Sequence, residues 1–179
     1  MIRNTHGALL AAAVLACLPG LLPGSAALAH TTLETKQAPA ASTYKGVLRV
    51  GHGCGASPTV ALRVQIPEGV IAVKPMPKPG WTLTTKEGQY AKAYDYYGES
   101  LSKGVTEIAW TGGSLPDAHY DEFVFRARLP DAAPGTVVYF PVVQECETGV
   151  HRWIEIPEPG KTDHDYKEPA PGVTLTAKP

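Results

Sequence analysis

Proline and glycine cut this chain into pieces too short for helices. Turn signals recur at Pro67-Glu68-Gly69, Lys78-Pro79-Gly80, Gly112-Gly113, Pro134-Gly135, Glu158-Pro159-Gly160 and Pro171-Gly172. Between them no window of ten or more residues repeats its apolar positions at the helical period, whereas alternation with period two is frequent. Val60 to Ile66 sets Leu62, Val64 and Ile66 against Ala61, Arg63 and Gln65. Glu122 to Leu129 sets Phe123, Phe125, Ala127 and Leu129 against Val124, Arg126 and Arg128. Tyr44 to Gly51, Trp81 to Thr85, Gln89 to Tyr97, Thr106 to Trp110, Thr136 to Val143, Val150 to Ile156 and Val173 to Thr176 read as further strands. Pro141 marks an edge or a bulge within its run. Many short strands with Pro/Gly turns predict an all-β antiparallel sandwich. Lys161 to Pro171, charged and proline-rich, reads as a loosely held tail strapped across it.

The first thirty residues carry a different signal. Arg3 precedes an apolar run from Gly7 to Leu18, and Ser25-Ala26-Ala27-Leu28-Ala29 closes the segment with small residues at the positions signal peptidase reads. Pro19-Gly20 breaks the run short of the roughly 20 residues that span a bilayer. Cys17 lies within the apolar stretch, away from any lipoprotein cleavage point. Residues 1–29 are therefore predicted to be a cleaved signal peptide and residues 30–176 one β-sandwich domain, soluble, and periplasmic or secreted. No later segment is long and apolar enough to span a membrane, and no basic patch points to nucleic acid.

Of the three cysteines, Cys17 leaves with the leader, so Cys54 and Cys146 remain. In an exported chain such a pair reads as a disulfide, with paired thiolate metal ligands as the alternative. The bridge would close a loop of about 93 residues, worth at most on the order of 4–5 kcal/mol in the chain-entropy account.

Cleavage between Ala29 and His30 creates a group the precursor lacks. His30 then carries a free α-amine beside its imidazole, and the amine nitrogen with Nδ1 can close a six-membered chelate on one metal. With pKa values of about 7.7–8.0 and 6.5, both nitrogens are open to a competing metal near neutrality. Two neutral nitrogens suit Cu(II), at the top of the divalent affinity order.

From His30 onward the sequence resembles the YcnI-like copper-binding domain family, exported domains formerly of unknown function. The resemblance rests on His30-Thr31-Thr32-Leu33-Glu34, His52-Gly53-Cys54, Val64-Gln65-Ile66-Pro67-Glu68-Gly69-Val70 and Lys78-Pro79-Gly80-Trp81. It continues through Tyr120-Asp121-Glu122-Phe123-Val124-Phe125 and Gln144-Glu145-Cys146 to His151-Arg152-Trp153-Ile154-Glu155-Ile156-Pro157. These segments span nearly the whole mature domain. The resemblance implies an immunoglobulin-like or cupredoxin-like sandwich that binds Cu(II) through the mature N-terminal histidine beside a tryptophan. Matched residue by residue, these are His30 and Trp153.

Alternation in Val150 to Ile156 puts His151, Trp153 and Glu155 on one face, and a Cys54–Cys146 bridge would draw His52 towards it. His52, His151 and Glu155 are accordingly secondary candidates as ligands or their supports, and Asp121 and Glu122 could orient a ligand. The plainer account makes Trp153 a core or rim residue and the histidines ordinary surface groups. His119 and His164 have no assigned role. The expected function is copper trafficking or homeostasis, as a chaperone or a sequestering protein serving other periplasmic copper-handling proteins. The alternatives are a sandwich module that binds another envelope protein and, less favoured, a copper-dependent oxidase or oxygenase using His52 or His151 as a second imidazole. No G-x-S-x-G elbow supports hydrolysis.

Overall fold

The computed structural model describes residues 30–178. The predicted leader, residues 1–29, lies outside them. Within the described residues the alternating segments become strands in three sheets. The first sheet orders β1 (Thr32–Leu33), β3 (Thr43–Val50), β8 (Asp121–Arg128) and β5 (Ile71–Pro75). The second orders β11 (Val150–Trp153), β10 (Val142–Cys146), β4 (Thr59–Gln65), β7 (Glu99–Leu115) and β6 (Thr82–Tyr96). A small third sheet sets β12 (Gly172–Thr176) between β2 (Gln37–Pro39) and β9 (Val137–Tyr139).

Period-two patterning places the core between the two larger sheets. Phe123, Phe125, Ala127 and Leu129 are all buried, as are Leu62, Val64 and Ile66, and they join Leu48, Ile108, Trp110 and Phe140 in one apolar cluster. Gly46 is needed where β3 faces β8, because Phe125 lies over it: a Cβ there would stand 2.3 Å from the ring. Tyr44 donates to the Thr35 carbonyl at 2.6 Å, and burial pushes its hydroxyl well above the usual tyrosine range.

Several boundaries differ from the sequence reading for local reasons. The two segments expected from Trp81 to Tyr97 form one long strand, which turns through Tyr97 and Gly98 into β7. Both turn residues have positive φ, 54° and 86°, as a two-residue hairpin of this hand requires. The segment from Thr136 to Val143 breaks before Pro141, which ends β9 and lets β10 join the other sheet. Short β1, β2 and β5 carried too little periodicity to be seen. β12 pairs parallel with β2, a departure from the otherwise antiparallel plan. The proline-rich tail does cross the fold: it carries a 3-10 turn at Asp163–Asp165, a bridge between Glu155 and Pro169, and a buried Ala170.

Candidate functional site

β1 and β11 are edge strands of the two facing sheets, and they lie on the same side of the sandwich. His30 immediately precedes the first, and Trp153 ends the second. Their rings meet edge to face, centroids 5.4 Å apart. Trp153 is buried, with its indole in the core cluster, while Val150, Ile154 and Ile156 point to solvent. The outward side of this edge strand is thus its apolar one, and the side carrying His151 and Trp153 faces in.

Gln144 holds the site together. It lies on β10 opposite His151, and its amide is almost wholly excluded from water. Its Oε1 accepts from Trp153 Nε1 at 3.0 Å and, more loosely, from Thr31 Oγ1 at 3.4 Å. Its Nε2 donates to the His52 carbonyl at 2.7 Å and to Thr59 Oγ1 at 2.8 Å. One buried amide therefore fixes the start of the mature domain, the His52 loop and the indole. The sequence reading passed over Gln144. Its signal was a polar residue on the same inward face as Val142 and Cys146.

The His52 loop is pinned twice more. Cys54 and Cys146 are joined in a disulfide, Cα atoms 6.0 Å apart, which settles their pairing against the thiolate-ligand alternative. The Gly53 amide donates to Asp117 Oδ1 at 2.9 Å, and a Cβ on Gly53 would stand 1.9 Å from the Ser57 carbonyl oxygen. These constraints bring His52 within 5.5 Å of the His151 ring and 6.2 Å of the indole, centroid to centroid. His151 stacks on Trp153 at 4.8 Å. Three imidazoles therefore contact one indole.

Their nitrogens are differently placed. His30 Nε2 is buried and has no hydrogen-bond partner among the described residues. His52 Nδ1 lies against the Gly53 carbonyl and His151 Nδ1 against Glu168 Oε1 at 2.8 Å. Glu168 also accepts from the Arg152 amide at 3.0 Å. Burial opposes its charge, but the hydrogen bonds from His151 and Arg152 prevail and hold the carboxyl below the usual glutamate range. Glu155 is exposed and sits one link further away: its Oε2 accepts from the Glu168 backbone amide at 2.6 Å. Nothing in the charged tail distinguished Glu168 in the sequence.

Other residues have different duties. Asp121 pairs with Lys78 at 2.6 Å, and Glu122 accepts from the Tyr120 hydroxyl. His119 is exposed, and His164 helps line a cavity of about 130 Å³ beside His30, together with Lys36 and Asp163. Among the described residues no three His, Cys, Asp or Glu side chains converge as a metal-ligand cluster. A metal held at His30 would therefore depend on backbone nitrogen.

Residues 30–175 match the family described as a domain of unknown function, DUF1775. The chain belongs to that family. It is the family to which YcnI-like proteins belong, as the sequence resemblance implied. The DUF1775 domain also resembles the crystal structure of an uncharacterized protein from Nocardia farcinica, described as having an immunoglobulin-like fold. That match has a TM-score of 0.60 at 24% identity and covers 82% of this chain and 98% of the other. It establishes the immunoglobulin-like sandwich. No curated protein matches the chain.

Proposed function

We propose that this DUF1775 chain is an exported Cu(II)-binding protein of copper trafficking or homeostasis, working in the periplasm or outside the cell. The observation that carries the reading is His30, the first residue after the predicted cleavage point, with its ring packed on Trp153. The ring packs edge to face on the indole. Removal of residues 1–29 would free the α-amine next to it, and the amine with Nδ1 would hold Cu(II). Trp153 would shield one side.

Few protein ligands favour exchange, since an acceptor can replace the remaining ligands stepwise. The oxidation state follows from the donors. Cu(I) prefers thiolate and thioether ligands. Here Cys54 and Cys146 are tied in a disulfide, and Met76 is the one methionine after the leader. Export agrees with the disulfide, and no helix among the described residues is long and apolar enough to cross a membrane. The role is carriage rather than catalysis.

Electron paramagnetic resonance on the chain beginning at His30, loaded with one equivalent of Cu(II), tests the site. Trp153→Phe is expected to shift the copper parameters and the visible band. Identical spectra for the two proteins would remove Trp153 from the copper environment.

A further inference from the structure

We propose that the turn end of the β6–β7 arm carries a binding site for a neutral saccharide. A cavity of about 290 Å³ opens there between the arm and the end of β8. Tyr94 and Asp95 line it from β6, Gly69 and Ile71 from the entry to β5, and Arg128 and Asp131 from the end of β8 and the loop beyond. Its volume stands at the lower end of ordinary ligand pockets, about 300–1,000 Å³, and suits a small polar ring. None of these residues borders the cavity beside His30.

An irregularity in the arm sets Tyr94 in place. Gln89 pairs with Lys103 and Tyr94 with Leu101, so the four residues from Tyr90 to Ala93 stand against Ser102 alone. A bulge of this kind re-aims the strand beyond it. Glu68 fixes it, accepting from the Ala91 amide at 3.1 Å and from the Tyr94 hydroxyl at 2.6 Å. At the tip, Tyr97 takes a φ of 54° at a turn position that suits asparagine or glycine, and it is 75% exposed. Neither the turn nor the core calls for an aromatic ring there. The ring instead carries the Arg128 guanidinium, which lies 5.3 Å from its centroid.

Among the described residues no carboxylate pairs with Arg128 and no group accepts a hydrogen bond from its guanidinium. Its N–H donors, set in a fixed fork, are left for a ligand. Acceptors stand beside it. Asp95 accepts from the Gly98 amide through Oδ2 at 3.1 Å, and Asp131 from Lys178 through Oδ2, so each keeps Oδ1 for another donor. Arg128 and Lys178 balance the two carboxylates, so the cavity carries no net charge and draws free anions little. Sugar hydroxyls, each a donor and an acceptor, satisfy both kinds of group. Tyr94 offers an aromatic surface to the C–H side of the ring.

The test titrates the copper-free chain beginning at His30 with maltotetraose, cellotetraose, mannotetraose and chitotetraose, followed by amide magnetic resonance. At least one is expected to shift the Tyr94, Tyr97, Gly98 and Arg128 signals, with a Kd of about 1–10 mM, as for a ligand engaging through roughly a dozen atoms. Tyr97→Asn suits the turn and keeps the fold, yet should weaken this binding about fivefold or more, whereas Tyr97→Phe should retain it. Arg128→Lys keeps the charge but loses the fork and should weaken it about tenfold. Glucose, mannose and N-acetylglucosamine are titrated alongside: binding of the tetraoses alone assigns the site to a glycan chain, and equal binding to free sugars; both support the saccharide class. No shift at these residues with any saccharide at about 50 mM would overturn the proposal. So would unchanged binding in both Tyr97→Asn and Arg128→Lys, or a stronger response to sodium sulfate, which would make the cavity an anion site.

Discussion

Replacing Gln144 by leucine keeps the volume of a fully buried side chain and removes its hydrogen bonds. Trp153 Nε1–H and the His52 carbonyl would then lack their partner, as would the Thr59 hydroxyl, which can turn towards another acceptor. A buried polar group left unpaired costs about 1–3 kcal/mol. Two such groups cost about 4 kcal/mol together, and leucine's apolar burial returns part of this, about 1–1.5 kcal/mol. The net loss expected is about 3 kcal/mol, a large share of the 5–15 kcal/mol typical of a domain. Urea unfolding with the disulfide intact should show the midpoint falling with its slope unchanged. The melting temperature should drop by about 6–12 °C. Tryptophan fluorescence should report a loosened indole at Trp153. A Gln144→Leu protein within about 0.5 kcal/mol of wild type would refute the assignment of Gln144 as the organiser of this edge.

The Cys54–Cys146 bridge spans 92 positions, so the double substitution to serine should cost about 4 kcal/mol and release the His52 loop; an unchanged urea midpoint would argue against this. Glu168 gives a pH dependence of defined sign. Its carboxyl pKa is lower in the folded chain, so its stabilisation is complete above the unfolded value of about 4.3 and disappears as pH falls through the folded value. The difference in urea midpoint between wild type and Glu168→Gln should therefore be largest near neutrality and vanish in acid. A pH-independent offset would contradict it.

Alternation made the two principal sheets legible, because a strand buried on one face must place apolar residues at every second position. Phe123, Phe125, Ala127 and Leu129 display this rule without exception. It misleads at the edge: Val150, Ile154 and Ile156 look like an inward face, yet they are exposed, because the site occupies the other side of that strand. The fifteen-residue β6 was legible only as two shorter strands, and β1 was hidden by its length of two residues. Its pairing comes from β3, not from its own pattern.

The site was partly legible. His30 was visible through the cleavage motif and Trp153 through resemblance, and the fold brings their rings together. His52 and His151 also meet, because the disulfide and Gln144 draw the loop onto β10. Glu155 does not reach the rings, because the ladder ends at Trp153 and its carboxylate turns to the Glu168 amide. Glu168 takes the place at His151 that alternation gave to Glu155. Such a contact depends on where the tail crosses, which no local pattern encodes.

The central claim is that the backbone nitrogen of His30 becomes a metal ligand. Cu(II) competition titrations should compare the chain beginning at His30 with the same chain acetylated at its α-amine. Adding one residue would be a poor control, since an amide nitrogen between a new amine and the imidazole makes another copper chelate. Joining two donors in one residue raises affinity by about 10²–10⁴ over either alone, so blocking the amine should weaken the tightest site at least a hundredfold. Equal affinities for the two proteins would contradict the account.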